Sequence, residues 1–388
     1  MVIGVLVAFL LLILALVSYN WTNDLFSPAF ISNVMWGAFV LLYNFTNNGL
    51  YPLGGMFYSA ILLWSFVFTL GAWLVNKNKM SSQSFVPNKT ILNLFFIIVV
   101  LAAPVTMFKI YEKASEGPTS VLIFNLRLLN TNPEEFDFSL GIWGYVYSLA
   151  AIALMGEFLA NKGKFYKNIK LLILIFINVG LSILTVSRTS FFFLLIALFI
   201  IYAFKKTVKL KHFIYVFVGI LVLFVGMTFL KDSFDDGVNI GNSFALYLFS
   251  GMTAFETLKP SPVDYDFGAN VFRLIYAIGK SLGFNTEPVS NILEYVSVPE
   301  KTNVYTFMYP FYKDFGYLGI GIFAFLYGVL FQYIYMKARL NKAYYLIFYS
   351  YLISVLLFQF LGDTLVSNLS MSLQYFFFSF LIFKRINI

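Results

Sequence analysis

Long apolar runs recur from one end of this chain to the other, broken by short polar stretches. A helix needs roughly 20 predominantly apolar residues to cross the hydrocarbon layer of a bilayer. Runs close to that length fall at approximately 2–18, 28–44, 55–75, 90–110, 139–159, 169–186, 189–205, 212–230, 317–336, 343–361 and 367–383. The pattern predicts an all-α polytopic membrane protein of about 11 transmembrane helices, a single integral membrane domain over residues 1–388. The stretch 169–205 is about two membrane thicknesses long, and Ser187-Arg188-Thr189 interrupts its centre, so a helical hairpin is expected there. Val2–Ser18 has neither a basic segment before it nor a small-residue cleavage site after it, and reads as a retained helix.

Composition points the same way: 60% of residues are hydrophobic, 48 are Phe, 26 are Tyr and only 11% are charged. With no cysteine, disulfides, thiolate chemistry and Cys-metal sites are excluded. The single histidine, His212, lies in a basic loop, which excludes a His-rich metal site. No metal and no cofactor is expected, since Asp235-Asp236 is an adjacent pair without supporting ligands. Asp314-Phe315-Gly316 invites comparison with a kinase, but no Gly-rich loop, strand-borne lysine or catalytic-loop motif accompanies it.

The loop charges set an orientation. Basic clusters lie at Lys77, Lys79 and Lys89, at Lys162, Lys164, Lys167 and Lys170, and at Lys205, Lys206, Lys209 and Lys211. Further clusters lie at Lys337, Arg339 and Lys342 and at Lys384 and Arg385. In an eleven-helix chain all five fall on one side, which the positive-inside rule makes cytoplasmic. The expected placement is a multi-pass membrane protein with its N-terminus outside and its C-terminus cytoplasmic. These clusters account for the net charge of +8, so no nucleic-acid partner is implied.

The loop 111–138 and the long segment 231–316 then face outward, as does Arg188. A guanidinium at a membrane boundary is either an interface anchor or a ligand contact, and the residue alone leaves both open. Segment 231–316 is too long for a passive connection and too rich in aromatic and aliphatic residues for disorder. Within it, Asn270–Leu282 reads as an amphipathic helix along the outer interface, with Arg273, Tyr276 and Lys280 on one face. These cations meet either lipid headgroups or a ligand. Tyr305, Tyr309 and Tyr312 suit either an aromatic belt or a sugar, and Lys313 and Asp314 either pair with each other or with Arg188. Arg127 adds a further outer cation, followed by the acids Glu134, Glu135 and Asp137. Arginine forks match phosphate bidentately, so this outer face suits an anionic amphiphile.

Ser187-Arg188-Thr189 opening an aromatic and leucine-rich helix resembles the Wzy-type O-antigen polymerases, which join oligosaccharide repeat units. So does Thr302-Asn303-Val304-Tyr305-Thr306 followed by Pro310-Phe311-Tyr312 and Asp314-Phe315-Gly316-Tyr317-Leu318-Gly319. The architectural likeness covers nearly the whole chain, whereas the residue matches cover these two stretches. The resemblance implies a GT-C-like, metal-independent glycosyltransferase acting at the outer face of the bacterial plasma (inner) membrane. It would polymerise undecaprenyl-diphosphate-linked repeat units into O-antigen or capsular polysaccharide, with a lipid-linked donor, a lipid-linked acceptor and membrane lipids as partners. A chain-length regulator and a flippase are further implied partners. Arg188, Arg273, Asp314 and Tyr305 are the implied catalytic residues; Arg127, Lys280, Tyr309, Tyr312 and Lys313 the implied substrate contacts. The outer-face histidine associated with O-antigen ligases has no counterpart, since His212 is expected in the cytoplasm, and no general base is assigned. A lipid-linked oligosaccharide flippase and an O-antigen ligase are the alternatives.

Overall fold

The computed structural model describes residues 2–75, 85–131, 138–161, 163, 165–186, 188–206, 208–232, 240–259, 267–290, 292–340 and 343–385. The chain is nearly all helical. Helices α1 (Val2–Thr22), α2 (Pro28–Phe45), α3 (Gly55–Trp73) and α4 (Lys89–Ser115) are followed by α5 (Leu122–Thr131) and α6 (Tyr145–Ala160). Then come α7 (Ile169–Leu184), α8 (Arg188–Lys205), α9 (Leu210–Asp232), α10 (Ile240–Glu256) and α11 (Arg273–Ser281). The last three are α12 (Tyr309–Arg339), α13 (Ala343–Leu357) and α14 (Leu369–Leu381). Among the described residues, 6 helices are long and apolar enough to cross a membrane: α1, α2, α3, α4, Gly141–Ala160 and α12. Shorter apolar helices stand at the other five expected positions. The protein is therefore an α-helical membrane protein by length and composition of its helices.

Two features differ from the sequence expectation. The segment 231–316 is not one loop with short amphipathic helices, because α10 occupies Ile240–Glu256 and buries Phe249 through Phe255 without interruption. Polar residues such as Asn242, Ser243, Ser250 and Thr253 dilute its apolar pattern, which hid it from a hydropathy reading. In α12, Gly316 (φ 59, ψ −147) breaks the helix and separates a first piece, Tyr309–Phe315, from the apolar stretch that begins at Tyr317. A side chain at that φ is strained, which is why glycine ends the first piece. The acids Glu134, Glu135, Asp137, Asp235 and Asp236, and Lys77, Lys79, Lys162, Lys164 and Lys342, lie outside the described residues, as does Ser187.

The chain forms two compact units. The first comprises Met1–Met80, Gly241–Met336 and Val355–Ser372. Its core is aromatic: Trp64 packs against Phe307 (4.3 Å between centroids), Phe311 and Tyr327, and Trp36 against Phe57 and Phe307. Offset and edge-on ring pairs of this kind contribute beyond their buried area. The last residue of α10, Glu256, accepts hydrogen bonds from Met56 N (3.3 Å) and Phe57 N (2.8 Å), satisfying the free amides at the start of α3. Helices α3 and α12 meet through glycines. A Cβ on Gly71 would stand 2.5 Å from the Phe325 carbonyl oxygen, and one on Gly328 would strike the Phe68 carbonyl. Small residues at such crossings let backbones approach closely in the apolar phase.

The second unit comprises Ser81–Ile240, Lys337–Ser354 and Leu373–Ile388. Asn88 and Asn168 cap α4 and α7 by accepting from Thr90 N and Leu171 N. Lys205 donates to the carbonyls of Phe158, Leu159 and Asn161, closing the C-terminus of α6. A short antiparallel pairing joins β1 (Phe85–Pro87) to β4 (Phe383–Arg385).

Gly71→Ala and Gly328→Ala are expected to lower the thermal stability of the detergent-purified protein, each by about 1–3 kcal/mol from overpacking. Gly321, on the same helix as Gly328, has open space around it. Gly321→Ala should leave stability unchanged or raise it by up to about 1 kcal/mol. Equal behaviour of the three variants in a melting series would contradict the close crossing.

Candidate functional site

A cavity of about 430 Å³ opens within the first unit. Its walls come from Asn270 and Arg273 with Val289, Ser290 and Leu293, from residues of the stretch Asn303–Pro310, and from residues of the stretch Leu361–Asn368. Each segment is held by a specific contact. Phe307 is fully buried between Trp36 and Trp64, and its N–H donates to the Gln359 carbonyl (2.8 Å), tying the second wall to the third. Gly251 of α10 lies against Tyr305, Thr306 and the Phe360 carbonyl, where a Cβ would stand 2.5 Å from that oxygen.

The first wall is set by Asp314. Its carboxylate accepts from Asn270 N (3.1 Å), the Asn270 side-chain amide (2.6 Å) and Val271 N (2.8 Å). The rings of Phe267, Phe272 and Phe315 close around this turn. Gly268, at φ +68, lets the chain reverse there directly against the Phe272 ring. The helix α11 then starts at Arg273.

Arg273 is half-buried and lines the cavity. Its Nε donates to the Val289 carbonyl (2.5 Å), while its terminal Nη groups have no partner among the described residues. Burial pulls its pKa down, yet an arginine so placed stays ionised, so the wall carries a charge that forms no salt bridge among the described residues. Tyr305 is buried in the opposite wall, its ring 4.8 Å from that of Tyr309, and its hydroxyl donates to the Glu294 carbonyl (3.1 Å). Burial first, and Glu294 second, push the Tyr305 hydroxyl up, so it stays protonated at neutral pH.

Asp363 is the acid among the lining residues and was not singled out from the sequence. It accepts from the Tyr327 hydroxyl (2.6 Å), Val366 N (2.7 Å) and Ser367 N (3.0 Å). Burial raises its pKa, against these hydrogen bonds, which favour the carboxylate. A lone acid in Gly362-Asp363-Thr364, between the last two apolar runs and without a neighbouring base, was the available signal. Asn303, Asn368, Thr306 and Thr364 also line the walls. No periodicity marks them.

Of the residues named from sequence, Arg273, Tyr305 and Tyr309 thus meet in one cavity. Asp314 does not line it and forms no salt bridge with Lys313; its oxygens hold the Asn270–Val271 turn. Tyr312 is packed between Phe255 and Tyr317 (both 5.4 Å), away from the cavity walls. Lys313 is half-buried beside Asp314 and lines no wall. Lys280 is exposed and bridges to Glu287 (2.6 Å).

Arg188 and Arg127 belong to the second unit. Arg188 is the first residue of α8, and its side chain lies outside the described residues. The turn before it passes through Val186 at φ +47, a conformation costly for a β-branched residue. Val186 is buried with Leu126 and Leu129 of α5 and with Ile110 and Ala114 of α4. The helix that carries Arg127, itself exposed, is therefore packed against the turn that precedes Arg188.

Comparison with protein-family models, curated proteins and solved structures returns no match.

Asp314→Asn is expected to loosen the first wall, since hydrogen bonds to a charged group are worth about 1.5–3 kcal/mol each. Hydrogen exchange at Val271 and through α11 should quicken by roughly ten- to a hundredfold, with α2 and α3 unchanged. Exchange in α11 identical to wild type would contradict the positioning role.

Proposed function

We propose that this protein is a glycosyltransferase of the outer face of the bacterial plasma membrane, polymerising undecaprenyl-diphosphate-linked oligosaccharide repeat units into O-antigen or capsular polysaccharide. The observation that carries this reading is Arg273: a half-buried guanidinium facing a polar cavity with its terminal donors unpartnered among the described residues. Such a fork suits a phosphate, and Tyr309, Asn303 and Asn368 in the same walls suit the sugar attached to it. The likeness of Ser187-Arg188-Thr189 and of the 302–319 stretch to the Wzy-type polymerases supplies the reaction.

In that reaction a hydroxyl oxygen of the acceptor unit attacks the anomeric carbon of the donor chain. The bond from that carbon to the phosphate oxygen breaks, and undecaprenyl diphosphate leaves with the bonding electrons. The hydroxyl proton passes to a phosphate oxygen of the leaving group. Negative charge grows on the diphosphate as the bond breaks, and a cation already in place stabilises that change most. Arg273 fills this role in the first unit; Arg188, with Arg127 on the neighbouring helix, is the corresponding candidate in the second. Asp363, with its oxygens engaged by Tyr327, Val366 and Ser367, is not the base. Asp314 acts as a positioning residue for Arg273.

In a strain lacking the native copy, Arg273→Ala should leave single repeat units at the cell surface, a loss of about 10²–10³ in rate by analogy with other preorganised donors. Arg273→Lys should give a shortened ladder, because lysine keeps the charge but loses the fork. Arg188→Ala should behave like Arg273→Ala. A full-length ladder from Arg273→Ala at normal protein level would overturn the assignment, and repeat units trapped on the cytoplasmic side would identify a flippase instead. Orientation is tested separately. Phe284, just after α11, is exposed, and in this cysteine-free chain Phe284→Cys should react with an impermeant maleimide from outside. Labelling only after permeabilisation would reverse the topology.

A further inference from the structure

Helix α11 has two unlike faces. Arg273 lines the cavity, and Tyr276 and Lys280 follow it at i+3 and i+7. Lys280 is paired with Glu287, and the Tyr276 hydroxyl donates to the Phe267 carbonyl (3.0 Å). Roughly half a turn round from Arg273 and Lys280 lie Ile275, Ile278 and Leu282, exposed by 62%, 49% and 70%. Three aliphatic side chains in register on one edge, with no charge among them, form a stripe that water does not favour.

What covers the stripe follows from where α11 is tied. The Asn270–Val271 turn directly before it is bound to Asp314, two residues before the break in α12 at Gly316. The helix α12 is long and apolar enough to cross a membrane, and beyond the break Leu318, Ile322 and Leu326 are exposed on it. Tyr317 opens that stretch. Its hydroxyl hydrogen-bonds the Ser59 hydroxyl (2.8 Å) and the Met56 carbonyl (3.3 Å) at the start of α3, also of spanning length. A tyrosine so placed marks the level of the membrane–water boundary. The exposed apolar surface does not stop there. Phe267, exposed by 77%, sets its ring 5.2 Å from that of Phe315, the last residue before the break. The lipid-facing side of α12 therefore leads, through Phe315 and Phe267, to the element that bears the stripe. A helix with one apolar edge and its cations on the opposite side, held at that level, lies in the bilayer surface.

We propose that α11 is seated in the leaflet at the Tyr317 end of α12 through Ile275, Ile278 and Leu282, and that the bilayer thereby supports the wall that carries Arg273. The partner is lipid hydrocarbon. Headgroup charge is not what holds the helix, because Arg273 faces the cavity and Lys280 is engaged by Glu287. The inference stands whatever ligand the cavity takes.

The test uses the cysteine-free full chain in phosphatidylcholine vesicles. A bimane label is placed at Ile278→Cys, at Leu282→Cys or, as the control from the other side of the helix, at Lys280→Cys. All three positions are exposed, and an exposed ion pair such as that of Lys280 contributes little to stability, so the folded chain should carry each label. Phosphatidylcholine bearing a nitroxide near the headgroup should quench the first two labels at least about twofold more than the third. Replacing a third of the lipid by phosphatidylglycerol should leave that difference unchanged. In the Ile275→Asn, Ile278→Asn double variant, the label at Leu282→Cys should lose its extra quenching. Hydrogen exchange through α11 should quicken about tenfold, with α3 as in wild type. Equal quenching at all three positions would overturn the inference. So would quenching that appears only with phosphatidylglycerol, which would put the cations at the surface in place of the apolar edge. Efficient cross-linking of Ile278→Cys between two copies of the chain would assign the stripe to a protein interface and overturn it as well.

Discussion

Asp314 stands just before the break in α12 and gives its carboxylate to a turn more than forty positions earlier in the chain, at Asn270 and Val271. That contact ties the turn before α11 to α12. The helix itself has no fully buried residue, so it lacks the apolar anchoring that holds its neighbours. A carboxylate that accepts three N–H groups substitutes for that packing. It places Arg273 at the first helical position, on the cavity wall. The aromatic clamp of Phe267, Phe272 and Phe315 shields the same contact from water, which strengthens it.

The other two walls follow from packing. Phe307 and Phe311 drive into the rings of α2, α3 and α12 and so pull the stretch between Asn303 and Pro310 flat against the unit. Within that stretch Thr306 is fully buried and Asn303 half-buried. The resulting electrostatics are asymmetric. Arg273 forms no salt bridge among the described residues, while Asp363 accepts from Tyr327, Val366 and Ser367. A cavity with one available cation and no available base suits chemistry in which a leaving anion is stabilised, more than chemistry that needs a strong proton acceptor.

Much of the helical framework was legible because apolar runs of spanning length need no tertiary information to be recognised. Each expected run holds a helix, although α7, α13 and α14 are shorter than the roughly 20 residues that a bilayer demands. The helix α10 was hidden because polar residues interrupt its apolar pattern; of these, Ser250 is buried beside Thr302 and Thr253 beside Tyr43 of α2. Within the site, Arg273, Tyr305 and Tyr309 were legible as charge and aromatic residues in an unusual context. Asp314 was noticed as a charge at the boundary, but its partner lies in a turn that no local pattern connects to it. Asp363 gains its meaning from walls formed by distant segments, and sequence spacing carries no trace of that. Tyr312 and Lys313 looked equivalent to Tyr309 in sequence, yet the helical turn carries them away from the cavity.

The account depends most on Arg273 holding a lipid-linked diphosphate in this cavity. A cryo-electron microscopy structure of the protein with a short-chain prenyl diphosphate addresses that directly. The account predicts phosphate density within hydrogen-bonding distance of the Arg273 Nη groups, between the walls formed by Asn303–Pro310 and Leu361–Asn368. Diphosphate density elsewhere, with Arg273 contacting only protein, would contradict it.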